Sequence, residues 1–179
     1  GRIAAVLGVS RDITARKRAE QSLVESEKKY RLLADNISDS IWILDLATMT
    51  FTYNSPSSVH ILGYSEDESV GLTPEKIVTK ESLAHVMTVL AEELARDGQP
   101  GVDPDRTINL ELEQIHKQGH IVWTEVNTKP LRNESGAVTG ILGVSRNITE
   151  RKRAEERTRL QRDLALALSS ATNLDEALR

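Results

Sequence analysis

The chain has 179 residues, of which 28% are charged, and a formal net charge of −4. This length is enough for one domain of about 110 residues with its own core, plus flanking helices. The acidic balance provides no basic surface for nucleic acid, and the absence of cysteine excludes disulfides, thiolate metal sites and cysteine nucleophiles. No apolar run reaches the roughly 18 residues of a membrane span and no signal peptide is visible, so we expect a soluble fragment.

The N-terminal segment predicts one strand and one helix. Residues 3–9 (IAAVLGV) have the character of a short buried strand, which we expect to pack against a neighbour or to pair with a sheet edge, its own or another protomer's. Residues 14–35 lack Gly and Pro and predict a helix. Its seam follows the alternating four- and three-residue spacing of a two-helix coiled coil: Ala19, Leu23, Ser26, Tyr30 and Leu33.

The middle of the chain predicts a sheet with short helices. Two short helices end at Gly63 and before Gly71, Pro74 opens a further turn, and residues 79–96 predict a longer amphipathic helix. Strand character bounded by turn residues recurs in five segments: residues 40–46, 50–53, 107–116, 120–131 and 137–145. This order predicts an α/β (α+β) fold, in which helices cover one face of a five-stranded antiparallel sheet and the last strand lies beside the first.

The C-terminal segment predicts a second charged helix. Asn147 is followed three residues later by Glu150, the spacing of a capping box, and Leu168 and Ala171 continue an apolar side of the helix that follows. The flanking helices are compatible with a parallel homodimer, and the candidate interface residues on them are Leu23, Tyr30, Leu33, Leu160 and Leu164. Basic runs at residues 16–18 and 151–153 indicate either a signalling hinge or a solvated helix surface paired with Glu.

Residues 1–20 recur almost unchanged as residues 136–155, with 13 identical positions in 20. Such a repeat indicates a structural unit used twice in tandem. We expect residues 1–13 to be the last strand of a preceding module, 14–36 a linker helix, 37–149 a complete module and 150–179 an exit helix, all within a longer modular protein.

Several motifs in residues 30–153 together resemble a PAS domain with its C-terminal PAC segment. The motifs that carry the resemblance are residues 41–45, Tyr53-Asn54-Ser55-Pro56, Leu62-Gly63-Tyr64, Gly71, Lys117-Gln118-Gly119, Trp123, Glu125, Pro130-Leu131, Gly136 and residues 143–152. Residues 1–17 repeat only the tail of this pattern. The family pattern has Asp before the Ile-Thr pair, as at Asp12, whereas the complete module has Asn147, which can still cap a helix but forms no ion pair.

The resemblance implies a cytoplasmic, non-enzymatic sensory module of a bacterial or archaeal signal-transduction protein, most often a sensor histidine kinase or a cyclic-dinucleotide enzyme, with its output domain in cis. Residues 161–179 resemble the opening helix of a GAF domain. We expect the module to bind a small molecule, to dimerise, or both, and to signal through a junction at Asn147, Thr149 and Arg151. A ligand-free interaction module is the alternative. An enzyme is a third class, for which the sequence offers no nucleophile–base or carboxylate pair at a suitable spacing, so we assign no catalytic residue.

Strand alternation defines the candidate pocket. Thr124 and Thr128 share one face of their strand with Val122 and Val126, and comparison with flavin-binding PAS domains turns Gly143 inward on the last strand. Hydroxyls among valines suit a mostly apolar ligand site, but a packed core with Thr and Gln bonded to the backbone uses the same residue types. The candidate ligand contacts are Tyr53, Leu110, Leu112, Gln114, Thr124, Val126, Thr128, Ile141 and Ser145.

Trp123 falls on the opposite face of the same strand, with Glu125 and Asn127. Large apolar side chains are seldom left wet, so we expect Trp123 to be an interface residue covered by the N-terminal helix, the exit helix or a second protomer.

The sequence requires no cofactor. On the helix of residues 79–96, Leu83, Met87, Leu90 and Leu94 form the apolar face, and His85 lies on the opposite face, which argues against haem ligation. His60, His116 and His120 lack metal-ligand spacing, so we assign no metal site. Covalent flavin photochemistry of the LOV type is excluded because the chain has no Cys, whereas noncovalent FAD stays open without being required.

Overall fold

The computed structural model describes residues 1, 12–14, 16–18, 20–22, 24–25 and 39–177, with side chains described as far as residue 167. The described residues from 14 to 25 are helical. The predicted strand at residues 3–9 and the predicted seam residues Ala19, Leu23, Ser26, Tyr30 and Leu33 lie outside the described residues.

Five strands form one antiparallel sheet in the order β2-β1-β5-β4-β3. The strands are β1 (Ser40–Asp45), β2 (Thr50–Asn54), β3 (Ile108–Ile115), β4 (Ile121–Arg132) and β5 (Val138–Asn147). The predicted sheet, including the last strand beside the first, is confirmed. Both outer strands are covered, because the backbone of Phe51 in β2 bonds to Gly71 and Leu72, and Thr79 donates to Glu113 in β3. The fold therefore leaves neither edge strand fully open for pairing with another chain.

Four helices pack against one face of the sheet: α1 (Ser58–Leu62), α2 (Glu66–Ser69), α3 (Pro74–Ile77) and α4 (Lys80–Arg96). Local sequence sets their ends. Gly63, at a φ of 79°, ends α1 in the left-handed conformation that glycine adopts at no steric cost. Ser65 and Glu68 form a complete capping box at the start of α2, and the Thr79 side chain accepts a hydrogen bond from Ser82 N at the start of α4. A fifth helix, α5 (Thr149–Ala177), follows β5.

The core lies between this helical layer and the inner face of β1, β2 and β5. Leu44, Phe51, Ile77 and Val78 form its buried cluster, against which Trp42 packs. On β3 and β4 the strand alternation is regular, since Leu110 pairs with Val126 and Leu112 with Thr124. The cross-strand register carries the same inner face to β5, where Ser145 lies opposite Val126.

Candidate ligand site and signalling junction

A cavity of about 110 Å³ lies between α4 and the inner face of the sheet. Its wall is mostly apolar and includes Val86, Leu90, Leu110, Ile141 and Trp42. Thr128 also lines it, but the Thr128 hydroxyl donates to the Ile108 carbonyl at 3.4 Å. The cavity therefore suits an apolar body rather than a charged one.

Glu93, Asp97 and Arg106 contribute to the wall of this larger cavity, and Arg132 pairs with Asp97 from outside the wall. Arg132 forms a bidentate pair with Asp97, with N···O distances of 2.6 and 3.0 Å, and Arg106 pairs with Glu93 and donates to its carbonyl at 2.6 Å. The hydrogen bond from Arg132 holds the pKa of Asp97 below its ordinary value, and that from Arg106 does the same for Glu93. These ion pairs compensate the two carboxylates, and Lys129, which also lines the cavity, is exposed.

A second cavity of about 30 Å³ lies on the far side of Trp42 and is more polar. Ser40, Asn54, Gln114 and Ser145 contribute to its wall, together with apolar side chains of α1 and α3. The side chain of Gln114 is 6% exposed, and its Oε1 accepts no hydrogen bond from any described residue. A buried acceptor without a donor is costly and uncommon in folded proteins.

Trp42 separates the two cavities, since its ring lines both. Its Nε1 donates to Ser145 Oγ at 2.8 Å, and the ring meets Phe51 edge-on with a centroid distance of 5.4 Å. The ring lies directly over Gly143, where an added Cβ would be 2.1 Å from Trp42 Cζ2. Only glycine at position 143 leaves room for this placement of the indole.

The candidate ligand contacts from the sequence fall into three groups. Leu110, Thr128 and Ile141 line the larger cavity and Gln114 and Ser145 the smaller one. Leu112, Thr124 and Val126 line neither and are buried in the core, with the Thr124 hydroxyl 3.4 Å from the Leu112 carbonyl.

The prediction that Tyr53 contacts the ligand is corrected by the structure. Tyr53 pairs with Ile43 on the outer face of the sheet and lines neither cavity. The register between β1 and β2 shifts between Ile43 and Leu44, so Phe51 lies opposite Leu44 on the inner face. This irregularity places Phe51 and Tyr53 on different faces, although strict alternation would put them on the same one.

The inward face of α4 also differs from the predicted one. Leu90 and Leu94 line the larger cavity as their spacing suggests, but Val86 and Val89 do so as well, whereas Met87 lines neither cavity. His85 is exposed and lines neither cavity. The inward side of α4 also carries Glu93 and Asp97, which reach Arg106 and Arg132.

Trp42, Leu44, Val86 and Val89 are among the wall residues that sequence reasoning missed. Trp42 and Leu44 alternate with Ile41 and Ile43 in a run that is apolar on both faces, so periodicity does not say which pair points inward. The signal that identifies Trp42 is its pairing with Gly143 across the sheet, because a glycine opposite a large ring marks the place where the ring lies.

The junction between β5 and α5 is a tight turn held by side chains. Asn147 Oδ1 accepts a hydrogen bond from Thr149 N at 2.9 Å, and Thr149 Oγ1 accepts one from Trp123 N at 3.1 Å. Ile148 between them is buried. In the first copy of the repeat, Asp12 Oδ1 accepts from Thr14 N at 2.8 Å, so Asn and Asp make the same turn.

The first turn of α5 binds the outer face of the sheet. Arg151 Nη2 lies 2.6 Å from Glu111 Oε1 and 3.9 Å from Glu125 Oε1, and Lys152 also pairs with Glu111. The pKa of Glu111 lies below its ordinary value because Lys152 and then Arg151 hydrogen-bond to it. Lys152 Nζ is 4.9 Å from the centre of the Trp123 ring, so the exit helix covers Trp123, one of the three expected covers.

Further along α5, the candidate interface residues are exposed. Leu160 is 59% exposed and Leu164 is 61% exposed, and residues four apart share one face of a helix. Within the described part of the chain, no helix combines the length and apolar character that a membrane crossing needs.

This sheet, its helical layer and the enclosed cavities define a PAS fold, and the family model described as "PAS fold" matches residues 28–148. The chain therefore belongs to the PAS family. It is 30% identical over 79% of its length to a methyl sulfide methyltransferase-associated sensor of Methanosarcina acetivorans, covering 13% of that protein. It is 29% identical over 86% of its length to the methanogenesis regulatory histidine kinase FilI of Methanothrix harundinacea, covering 16%.

Among solved structures, the PAS domain of an HTR-like protein from Haloarcula marismortui is 25% identical. The match covers 74% of this chain and 99% of that one, with a TM-score of 0.58. A sensory box histidine kinase/response regulator from Burkholderia thailandensis, 22% identical with a TM-score of 0.60 over 78% of this chain and 98% of that one, shares the fold. The chain spans less than a fifth of the length of the two curated relatives named above.

Proposed function

We propose that this chain is the sensory module of a cytoplasmic, multidomain signal-transduction protein whose output domain is a histidine kinase. A small molecule binds between α4 and the sheet, and the junction at Asn147, Thr149 and Arg151 passes the change to α5. The relatives are sensors and histidine kinases by name, which supports a regulatory role for the module. We assign it no catalytic step.

One observation carries this proposal: β5 contributes to both cavities and ends at the junction. Ile141 lines the larger cavity and Ser145 the smaller one, and only Arg146 separates Ser145 from Asn147. A shift of β5 by a ligand therefore changes the turn that starts α5 without any intermediate element. In a two-state module, a ligand that binds one arrangement more tightly shifts the population toward it.

The output path proposed here is a parallel homodimer through the flanking helices. Exposed Leu160 and Leu164 on α5 supply an apolar seam for a second copy. A packed seam has discrete arrangements, so a small rotation at the junction becomes a register or rotation change along the helix pair. In this proposal residues 161–179 lead into a GAF domain.

A ligand-free interaction module is the second candidate. It is favoured by Thr124 and Thr128, whose hydroxyls are already bonded to backbone carbonyls and need no ligand. The discriminating experiment is native mass spectrometry of the purified chain, with an absorbance scan from the near ultraviolet to the red. A bound mass supports the sensor, and a Soret or flavin band would identify haem or flavin. Two results together would support the interaction module. The purified protein would contain no bound molecule, and a substitution that displaces Trp42 would leave hydrogen exchange of α5 unchanged.

A further inference from the structure

The two cavities have complementary chemistry. The larger cavity, of about 110 Å³, is mostly apolar, and the smaller one, of about 30 Å³, presents the unpartnered Gln114 Oε1. An acceptor that lacks a donor matches a ligand that brings one. The two carboxylates of the wall are paired with Arg106 and Arg132, and the remaining charged wall residue, Lys129, is exposed, so the buried part of the wall favours an uncharged ligand.

We infer that the two cavities are the two ends of one site for a small, uncharged, mainly apolar molecule with one hydrogen-bond donor, such as a hydroxyl on a six-membered ring. The donor binds Gln114 Oε1 and the apolar body lies toward α4. This inference rests on the proposed sensory function and names the ligand class of the same site. An apolar cavity of about 150 Å³ accommodates benzene, and the combined space is of that order.

Trp42 is the moving part of this site, because its ring stands between the two ends. Three contacts hold it: the 2.8 Å hydrogen bond from Nε1 to Ser145 Oγ, the close packing over Gly143 and the edge-on contact with Phe51. A ligand that spans both ends displaces the ring and breaks the bond to Ser145. Ser145 lies two residues before Asn147, so occupancy of the site reaches the turn at the start of α5.

The test compares phenol with fluorobenzene, which have similar shapes but differ in the hydrogen-bond donor. Binding to the full chain is measured by calorimetry, and the fluorescence of Trp42 is followed in the Trp123→Phe background, where Trp42 is the only remaining tryptophan of two. We expect both probes to change Trp42 fluorescence. In Gln114→Leu, the ratio of the fluorobenzene to the phenol dissociation constant should fall by about tenfold, because the buried phenol hydroxyl then has no acceptor.

Two further variants complete the design. Gln118→Leu makes the same change at an exposed turn position and should leave the ratio as in the unsubstituted chain. Trp42→Phe keeps an aromatic ring but cannot bond Ser145. It should tighten binding of both probes by roughly 2- to 10-fold with the ratio unchanged. This variant also tests the site if Gln114→Leu does not fold, which circular dichroism reports.

The outcomes separate the inference from the proposed function. An unchanged ratio in folded Gln114→Leu, as when Gln114 bonds only to an ordered water, overturns the polar end of the site. Failure of both probes to bind either the unsubstituted chain or Trp42→Phe overturns the inference as a whole. Neither result decides the proposed function, which depends on the mass found with the purified protein and on the response of α5.

Discussion

Substituting Gly143 by Ala tests whether the position of Trp42 controls the exit helix. An alanine Cβ would be 2.1, 2.3 and 2.4 Å from three atoms of the Trp42 ring. The ring must retreat by more than about 1 Å to restore ordinary contact. That movement lengthens the 2.8 Å bond between Trp42 Nε1 and Ser145 Oγ beyond hydrogen-bond distance.

The expected cost follows from these two effects. Overpacking costs about 1–3 kcal/mol and the lost hydrogen bond about 0.5–1.5 kcal/mol, so the free energy of unfolding should fall by about 1.5–4.5 kcal/mol. For a chain of this size that corresponds to a decrease in Tm of roughly 5–15 °C. Because ring displacement is also the proposed consequence of ligand binding, Gly143→Ala should shift hydrogen exchange of residues 149–167 toward the ligand-bound level without ligand.

The assay is thermal denaturation combined with hydrogen exchange by mass spectrometry. Thr139→Ala, an exposed change on the same strand, should have little effect on either readout. Trp42→Phe lacks the indole atoms that clash, so adding it to Gly143→Ala should recover most of the packing cost but not the bond to Ser145. If Gly143→Ala lowers Tm as expected while exchange of α5 stays at its unliganded level, Trp42 packing does not control the junction and the reasoning fails.

Three other variants test the junction and the docking of α5. Asn147→Ala removes the acceptor for Thr149 N and should destabilise the start of α5 by about 0.5–2 kcal/mol, uncoupling output while ligand affinity stays nearly unchanged. Asn147→Asp should preserve both, and loss of ligand binding with an intact helix in Asn147→Ala would contradict the mechanism. Trp123→Ala removes the ring beneath Lys152 and should raise hydrogen exchange in the first turns of α5, whereas Trp123→Phe should not. The pKa of Glu111 lies below its ordinary value of 4.5 through Lys152 and Arg151. Its ion pairs therefore stabilise docking above that pH, and this contribution is lost as the pH falls through the lower folded value. Glu111→Gln should accordingly be less stable near pH 7 and lose less stability on acidification to pH 3, measured by thermal denaturation with Glu134→Gln as control. An unchanged pH profile would show that these ion pairs contribute nothing to stability.

The sheet was predictable because its strands carry strong local signals. Alternation on β3 and β4 assigns Leu110, Thr124 and Gln114 to the inner face, and the turns at Gly119 and Gly136 adopt φ values of 88° and 85°, which favour glycine. These signals depend on residues close in sequence, so no knowledge of the tertiary structure is needed.

The site was less predictable because its decisive contacts join distant residues. Asp97 and Arg132 are 35 residues apart, and Trp42 and Ser145 are 103 apart. The irregular register at β2 places Tyr53 on the outer face, and the inward side of α4 carries Glu93 and Asp97 together with Val86. A hydrophobic-moment analysis assigns the inward face of a helix from hydrophobicity alone. It therefore cannot anticipate that Glu93 and Asp97 face inward.

The junction shows how a change from Asp to Asn can leave the turn intact. Asp12 and Asn147 hold their following turns with nearly equal hydrogen bonds, 2.8 and 2.9 Å long, so the geometry of the turn does not require a charge. Arg146, one residue earlier, forms its own ion pair with Asp39 just before β1 at 2.8 Å. Arg146 is 63% exposed in its side chain, and such a pair adds little to stability. In the proposed function, two adjacent residues of β5 contact the two ends of the module. Arg146 contacts the segment that leads into β1, and Asn147 contacts the start of α5. A signal arriving through the linker and a signal arising at Trp42 then reach α5 through the same two residues.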